Sequence, residues 1–187
     1  EERRPVNIFT GVDPASSTKK TADYSVVFNL AIDDKNNRFV LPYFRKRSTP
    51  LRLADAIIRN FKMYNSTKTR IESVGYQEML RQYIKEESEK LGLFIPGLEI
   101  KENPRTRKSY RLESLQPLFA NKRVFIQKNM QALENELLLY PRGKNDDLLD
   151  GFYYANKNSY RPGHSYTPFS KKREDYYYTP QKSWKIN

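Results

Sequence analysis

The 187-residue sequence carries 34 Lys and Arg against 22 Asp and Glu, a formal net charge of +12, and 37% hydrophobic residues. This length is sufficient for one domain with a real core, and the charge favours a polyanionic partner, nucleic acid ahead of an anionic membrane. Without cysteine, the chain has no disulfide, thiolate zinc site or cysteine nucleophile. Because it also has only one histidine, His164, oxygen atoms are the only plentiful metal ligands, and they suit hard ions such as Mg²⁺ or Mn²⁺. No apolar stretch approaches the roughly 18 residues that cross a bilayer, so we expect a soluble protein without membrane contact.

The first half of the chain predicts three strands followed by alternating helix and strand. The first strand, apolar and β-branched, ends at Asp13 before a proline, and a turn-rich interval joins the next two as a hairpin. Helical spacing of apolar residues then alternates with short β-branched stretches. The predicted strands are 6–12, 23–32, 38–47 and 69–75, and the predicted helices are 51–64 and 76–92.

The second half continues the alternation and then loses it. It contains strand candidates at 98–102 and 123–127, a helix at 110–120 broken near Pro117, a helix at 130–140 and a last helix capped by Asn145. This order predicts an α/β fold with a mixed sheet: an antiparallel first hairpin, then parallel strands, with flanking helices. We expect one domain over residues 1–156 and a basic, tyrosine-rich arm or tail over 157–187, where no apolar period persists.

Four acids stand where such a fold could bring them together. Asp13 ends the first strand, Glu72 lies in the strand stretch RIESV, and Asp147 and Asp150 are three apart on one face of the last helix. Two-metal phosphodiester hydrolysis needs carboxylates that converge from separate elements. If the two strands are neighbours, the acids meet at one sheet edge, and a cation makes their mutual repulsion tolerable.

Each acid also has an ordinary structural explanation. Asp at a helix N-terminus caps the helix and compensates its dipole, so Asp147 and Asp150 alone indicate little. Glu72 alone is more often a solvated strand residue, and Asp13 before a proline is as often a turn former. Only the conjunction on this order of elements favours a metal site.

Basic residues concentrate in the stretch KENPRTRKSYR, whose cations surround a proline turn that suits contact with a phosphate backbone. The alternative is a solvated loop. FRKR at 44–47 is a second, less specific basic run. From Tyr153 onward, aromatic residues alternate with cations as in surfaces that stack single-stranded bases, although such a tail more often packs on its own domain or a partner. The cations of the first stretch that we expect to contact DNA are Arg105, Arg107, Lys108 and Arg111.

Several motifs in order resemble a known family. They are FTGVDPA, IESVGYQEML, the stretch from Lys108 through SYRLESLQPLFANKRVFI, and ENELLLYPRGKNDDLLDGFYYA, which together span about residues 7 to 155. This set resembles the nuclease domain of the large terminase subunit of tailed bacteriophages. The resemblance implies an RNase H-like fold, related to Holliday-junction resolvases, that cuts concatemeric genome DNA with a divalent metal and little sequence specificity.

The resemblance also implies roles for particular residues. Asp13 matches the first acid of the family, Glu72 the second and Asp147 the third, with Asp146 and Asp150 as further ligands of one or two Mg²⁺ or Mn²⁺ ions. Among the basic residues of the matching motif, Lys108 and Arg111 would lie near double-stranded DNA.

Partners and location follow from the resemblance as well. The family's large subunit begins with a packaging ATPase, yet GxxxxGK is absent here: Gly92 and Gly97 have the spacing, but Leu98 and Glu99 follow. We therefore expect the isolated nuclease portion, working with that ATPase, a portal and a small terminase subunit in the host-cell cytoplasm. The alternatives are a junction or hybrid nuclease of the same fold, or a non-catalytic basic module that binds nucleic acid.

Overall fold

The computed structural model describes residues 4–15, 24–72, 77–98, 108–157, 159–163, 177–178 and 184–186. Within these residues no helix is both long enough and apolar enough to span a bilayer. The predicted strand at 98–102 and most of the predicted arm at 157–187 fall outside them, so the domain boundary at 156 stays a prediction.

Seven strands of the described residues form one sheet at the centre of the molecule. They are β1 Arg4–Asp13, β2 Ser25–Asp33, β3 Arg38–Lys46, β4 Lys68–Ile71, β5 Val124–Gln127, β6 Tyr177–Tyr178 and β7 Trp184–Ile186. Their order in the sheet is β4-β1-β2-β3-β5-β7, and β6 pairs with β1. β1 pairs antiparallel with β2, and β2 with β3, whereas β1 with β4 and β3 with β5 are parallel. The mixed sheet predicted from the order of elements is therefore confirmed.

Six helices of the described residues flank the sheet. They are α1 Pro50–Tyr64, α2 Gln77–Lys90, α3 Lys108–Glu113, α4 Gln116–Ala120, α5 Gln131–Leu139 and α6 Asp147–Asn156. The sequence explains the ends of α1. The Thr49 side chain accepts a hydrogen bond from the Arg52 amide, Pro50 occupies the first turn, and Asn65 ends the helix in the left-handed region.

The two faces of the sheet are covered by different helices because side chains alternate along each strand. One apolar cluster joins Phe9, Phe28 and Leu30 to Leu133 of α5 and Phe152 of α6. A second cluster joins Val12, Val27 and Ile71, whose side chains point to the opposite face, to α1 and α2. Asp13, one residue on from Val12, therefore belongs to the face that α6 covers.

The predicted helix 110–120 is broken near Pro117, as expected: α3 ends at Glu113 and α4 begins at Gln116, which leaves Pro117 in the first turn of α4, where its missing N–H is harmless. Two other local predictions were wrong. Glu72 follows β4 instead of lying within it. Asn145 does not cap α6, because the N-cap residue is Asp146, whose side chain makes no capping hydrogen bond.

Candidate metal centre

Two neighbouring parallel strands end together at one edge of the sheet and deliver two acids there. Val12 of β1 is aligned with Ile71 of β4, so the next residues along the chain are Asp13, which ends β1, and Glu72, which directly follows β4. The Glu72 amide donates to the Val12 carbonyl at 2.9 Å and prolongs the pairing by one bond. The sequence predicted that the acids would meet only if these two strands were neighbours, and the pairing of β1 with β4 shows that they are.

Helix α6 lies directly on the sheet beside them. Two glycines permit this approach: a Cβ on Gly11 would stand 2.4 Å from the amide nitrogen of Ala155, and a Cβ on Gly151 would stand 2.8 Å from Val26 Cγ1. Gly151 costs helix propensity, about 1 kcal/mol relative to alanine, but lets the helix backbone reach β1 and β2. The N-terminus of α6, with its two acids, is thereby placed at the same edge as Asp13.

The acids at this edge are shielded from solvent, and they lie close enough for the charge of one to shift the pKa of another. Asp147 and Asp150 retain only 5% and 4% of their surface, at the positive end of the α6 dipole. The pKa of Asp13 is raised well above its ordinary value, first by burial, then by a hydrogen bond with the Glu72 carboxyl, and then by the negative charges of Asp150, Glu72 and Asp147. The structure thus brings together Asp13, Glu72, Asp147 and Asp150.

A tyrosine of α6 completes the contact between the helix and β4. The Tyr154 hydroxyl donates to Glu72 Oε1, and the tyrosine is fully buried. Tyr154 lies four residues after Asp150, so both face the same side of α6. The hydroxyl holds the Glu72 carboxylate beside Asp13.

An arginine of β3, Arg45, faces the acids. The strand pairing aligns Asp13 with Val26 and Val26 with Arg45, so Arg45 points to the α6 face like Asp13. Arg45 Nη2 lies 2.9 Å from Glu136 Oε1 and 3.7 Å from Asp147 Oδ2. Its guanidinium also stacks over the Tyr24 ring at 4.1 Å from the centroid.

Glu136 of α5 connects this arginine to the start of α6. Its Oε2 accepts a hydrogen bond from the Leu148 amide at 2.9 Å, which is the capping bond that the Asp146 side chain does not make. Burial raises the pKa of Glu136 to about 7, although Arg45 and the Leu148 amide both oppose the rise.

The donor set fits a hard divalent cation by its chemistry. It consists of carboxylate oxygens from three parts of the fold. The pKa of Asp13 is raised by burial and by charge repulsion, and a cation would relieve that repulsion. Nevertheless, within the described part of the chain no group of three Asp, Glu, His or Cys side chains is arranged to hold an ion. The Asp13 and Glu72 carboxyls are hydrogen-bonded to each other. A cation bound between them would take the place of the shared proton.

The other predicted site residues are only partly described. Asp146 is half-buried at the N-cap of α6, and its carbonyl accepts from the Asp150 amide at 3.0 Å. Arg105 and Arg107 lie outside the described residues, and Lys108 and Arg111 belong to α3 by their backbone alone.

Solved structures share this architecture. The large terminase nuclease from thermophilic phage G20c matches with a TM-score of 0.56 and 18% identity over 82% of each chain. Its form with bound magnesium matches with a TM-score of 0.51 and 19% identity, over 84% of this chain and 85% of that one. The yeast mitochondrial Holliday junction resolvase Ydc2 matches with a TM-score of 0.50 and 14% identity, over 83% and 80%. The fold is therefore RNase H-like, as predicted.

The family itself is shown by the sequence. Residues 10–158 match the family model described as terminase RNaseH-like domain. The chain belongs to this family, which confirms the resemblance drawn from its motifs. No curated protein matches it.

Sequence reasoning missed Arg45, Glu136 and Tyr154 as neighbours of the acids. Tyr154 could have been found from its spacing to Asp150 on one helix face. Arg45 stands in the basic run FRKR, but its place opposite Asp13 depends on the register of β1, β2 and β3. Glu136 lies inside a quoted motif and has no local signal for its contacts.

Proposed function

We propose that this domain is a metal-dependent DNA endonuclease. The observation that supports this proposal is the convergence of Asp13, Glu72, Asp147 and Asp150 at one edge of an RNase H-like sheet, with the pKa of Asp13 raised by burial and by the other acids. Buried like charges of this kind are costly, and they are concentrated where a cation or a proton has a task.

The chain's own residues would have distinct parts in the reaction. Asp13, Glu72 and Asp147 would hold one or two Mg²⁺ or Mn²⁺ ions, with Asp146 and Asp150 as further ligands. Such ions, when bound, supply Lewis acidity that activates water and stabilises the leaving 3′-oxygen of a phosphodiester. Tyr154 would keep Glu72 in position through its hydroxyl.

The substrate would be double-stranded DNA, in keeping with the net charge of +12. Arg105, Arg107, Lys108 and Arg111 would contact its phosphates, and contacts of that kind give little sequence preference. In a virus-infected cell, the domain would cut concatemeric genome DNA in the host cytoplasm, together with a packaging ATPase, a portal and a small terminase subunit.

Plasmid nicking tests the proposal. The parent protein should nick supercoiled plasmid with Mn²⁺ or Mg²⁺ and lose this activity in EDTA, and Asp13→Ala and Asp147→Ala should be inactive while remaining folded by circular dichroism. Asp55→Ala, on the exposed face of α1, is the matched control and should nick at the parent rate. Parent-level nicking by folded Asp13→Ala or Asp147→Ala would refute the assignment.

Linear duplex, four-way junction and RNA–DNA hybrid substrates should be compared in the same assay. Cleavage of duplex at least as fast as of the other two supports the packaging role. If the junction or the hybrid is cleaved faster than the duplex, the proposed catalytic residues stand, but the substrate is a junction or an RNA–DNA hybrid instead of packaged duplex DNA.

A further inference from the structure

We propose that Arg45 and Glu136 form a positioning pair for Asp147. The pair does not contact the substrate; it would fix the place of the Asp147 carboxylate relative to Asp13 and Glu72. This inference rests on the proposed metal-dependent function and adds two residues to it.

The contacts hold Asp147 from both its side chain and its backbone. Arg45 Nη2 stands 3.7 Å from Asp147 Oδ2, and Glu136 Oε2 accepts from the amide of Leu148, the next residue. Glu136 Oε1 in turn accepts from Arg45 at 2.9 Å, so the two contacts belong to one connected unit. The side chains of Glu136 and Asp147 are only 5% and 8% exposed, which makes these contacts poorly screened by water.

Arg45 itself is immobilised from three sides. Its backbone lies in β3, opposite Val26, its guanidinium bonds to Glu136, and the Tyr24 ring packs against the guanidinium at 4.1 Å. A planar guanidinium can reach two carboxylates at fixed positions, whereas an ammonium is a single point charge on a flexible stem. Geometry, and not charge alone, is therefore what Arg45 contributes.

The direction in which the cation affinity changes when Arg45 is removed distinguishes a positioning role from simple charge neutralisation. If Arg45 only neutralised the acids, its removal would leave a more negative site that attracts a divalent cation more strongly. If Arg45 positions Asp147, its removal weakens cation binding despite the more negative charge. Loss of residues that orient metal ligands typically costs about 10-fold to 100-fold in metal affinity.

Calorimetric titration of the full chain with MnCl₂ tests this inference without using activity. We expect Arg45→Gln to raise the Kd for Mn²⁺ about 10-fold. Arg45→Lys should also weaken binding although it keeps the charge, and Glu136→Gln should shift the Kd in the same direction. Arg38→Gln is the matched control because Arg38 is a buried arginine of the same strand that bonds to Asn156 at the other end of α6, and it should leave the Kd unchanged.

Two results would overturn the positioning role. One is that Arg45→Gln binds Mn²⁺ as tightly as the parent protein, or more tightly. The other is that Arg38→Gln weakens Mn²⁺ binding as much as Arg45→Gln does. If Arg45→Gln fails to fold, Arg45→Lys decides, since parent-like affinity in that variant rules out a need for guanidinium geometry. Absence of Mn²⁺ binding by the parent itself would instead refute the proposed function, and with it this inference.

Discussion

Gly11 of β1 and Gly151 of α6 lie in backbone contact: a Cβ on Gly11 would stand 2.1 Å from the Gly151 carbonyl oxygen. No side chain can be added there without moving the helix, because the obstructing atoms belong to the backbone. The edge of the sheet at which the acids meet depends on this contact, since α6 carries Asp147 and Asp150.

Gly11→Ala should therefore destabilise the fold by about 3 kcal/mol, the upper end of ordinary overpacking costs, and weaken Mn²⁺ binding. Gly92→Ala is the control: its φ of +64° is unfavourable for alanine, at about 1 kcal/mol, but nothing lies within 4 Å of the added Cβ. Urea unfolding with and without Mn²⁺ measures both effects. Equal free energies of unfolding for the two variants would show that α6 can shift freely on β1.

Asp13→Asn should make the metal-free protein more stable at pH 8. A carboxyl whose pKa is raised by folding contributes stability at low pH, and that contribution is lost as the pH rises through the folded pKa. An amide of the same size removes the repulsion from Glu72 and the α6 acids, so we expect a gain of about 1 kcal/mol. Thermal unfolding should also show that stabilisation by Mn²⁺ is lost. A less stable Asp13→Asn protein without metal would contradict the repulsion inferred at this site, and Asp55→Asn serves as the neutral comparison.

Glu136 should make stability depend on pH between about 4.5 and 7. Its pKa is raised from 4.5 to about 7 in the folded protein, so its contribution is complete below pH 4.5 and is lost as the pH rises through 7. The glutamine of Glu136→Gln cannot titrate. In this variant the change in the free energy of unfolding between pH 4.5 and 7 should be smaller by a few kcal/mol, on the order of 1.4 kcal/mol per unit of pKa. Urea unfolding at several pH values, without metal, is the measurement. An unchanged slope would mean that Glu136 titrates normally.

Lys108→Ala and Arg111→Ala should each weaken DNA binding and reduce the salt slope of the affinity by about 1, because each would remove one phosphate contact. Neither change should affect the Kd for Mn²⁺. Lys62→Ala, an exposed change on α1, is the control on the opposite face of the sheet. Fluorescence anisotropy across a salt series gives the dependence of DNA affinity on salt concentration. If this dependence is the same in both variants as in the parent protein, α3 does not contact DNA.

The sequence was sufficient to predict the mixed sheet and the four acids at its edge. Asp13 ends an apolar strand, and Asp147 and Asp150 share one helix face. Both features can be predicted because the spacing of apolar residues, which is visible in the sequence, decides which side of a strand or helix is buried. The position of Glu72 beside Asp13 required one further assumption, that β1 and β4 pair, and the register confirms it.

The surroundings of the acids could not be predicted in the same way. Arg45 reaches Asp147 through the pairing of three strands, and Glu136 reaches Leu148 through the packing of two helices. Neither contact has a periodic signal in the sequence. The capping of α6 failed as a prediction for the same reason: the acceptor comes from α5, and not from the residues that precede the helix.

The central claim is that separate acids form one cation site, and anomalous diffraction from a crystal soaked in MnCl₂ tests it most directly. We predict a manganese peak in contact with Asp13, Glu72 and Asp147, with the Asp13–Glu72 hydrogen bond replaced by coordination. Strong manganese peaks elsewhere on the protein, with the Asp13 and Glu72 carboxyls still bonded to each other, would contradict it.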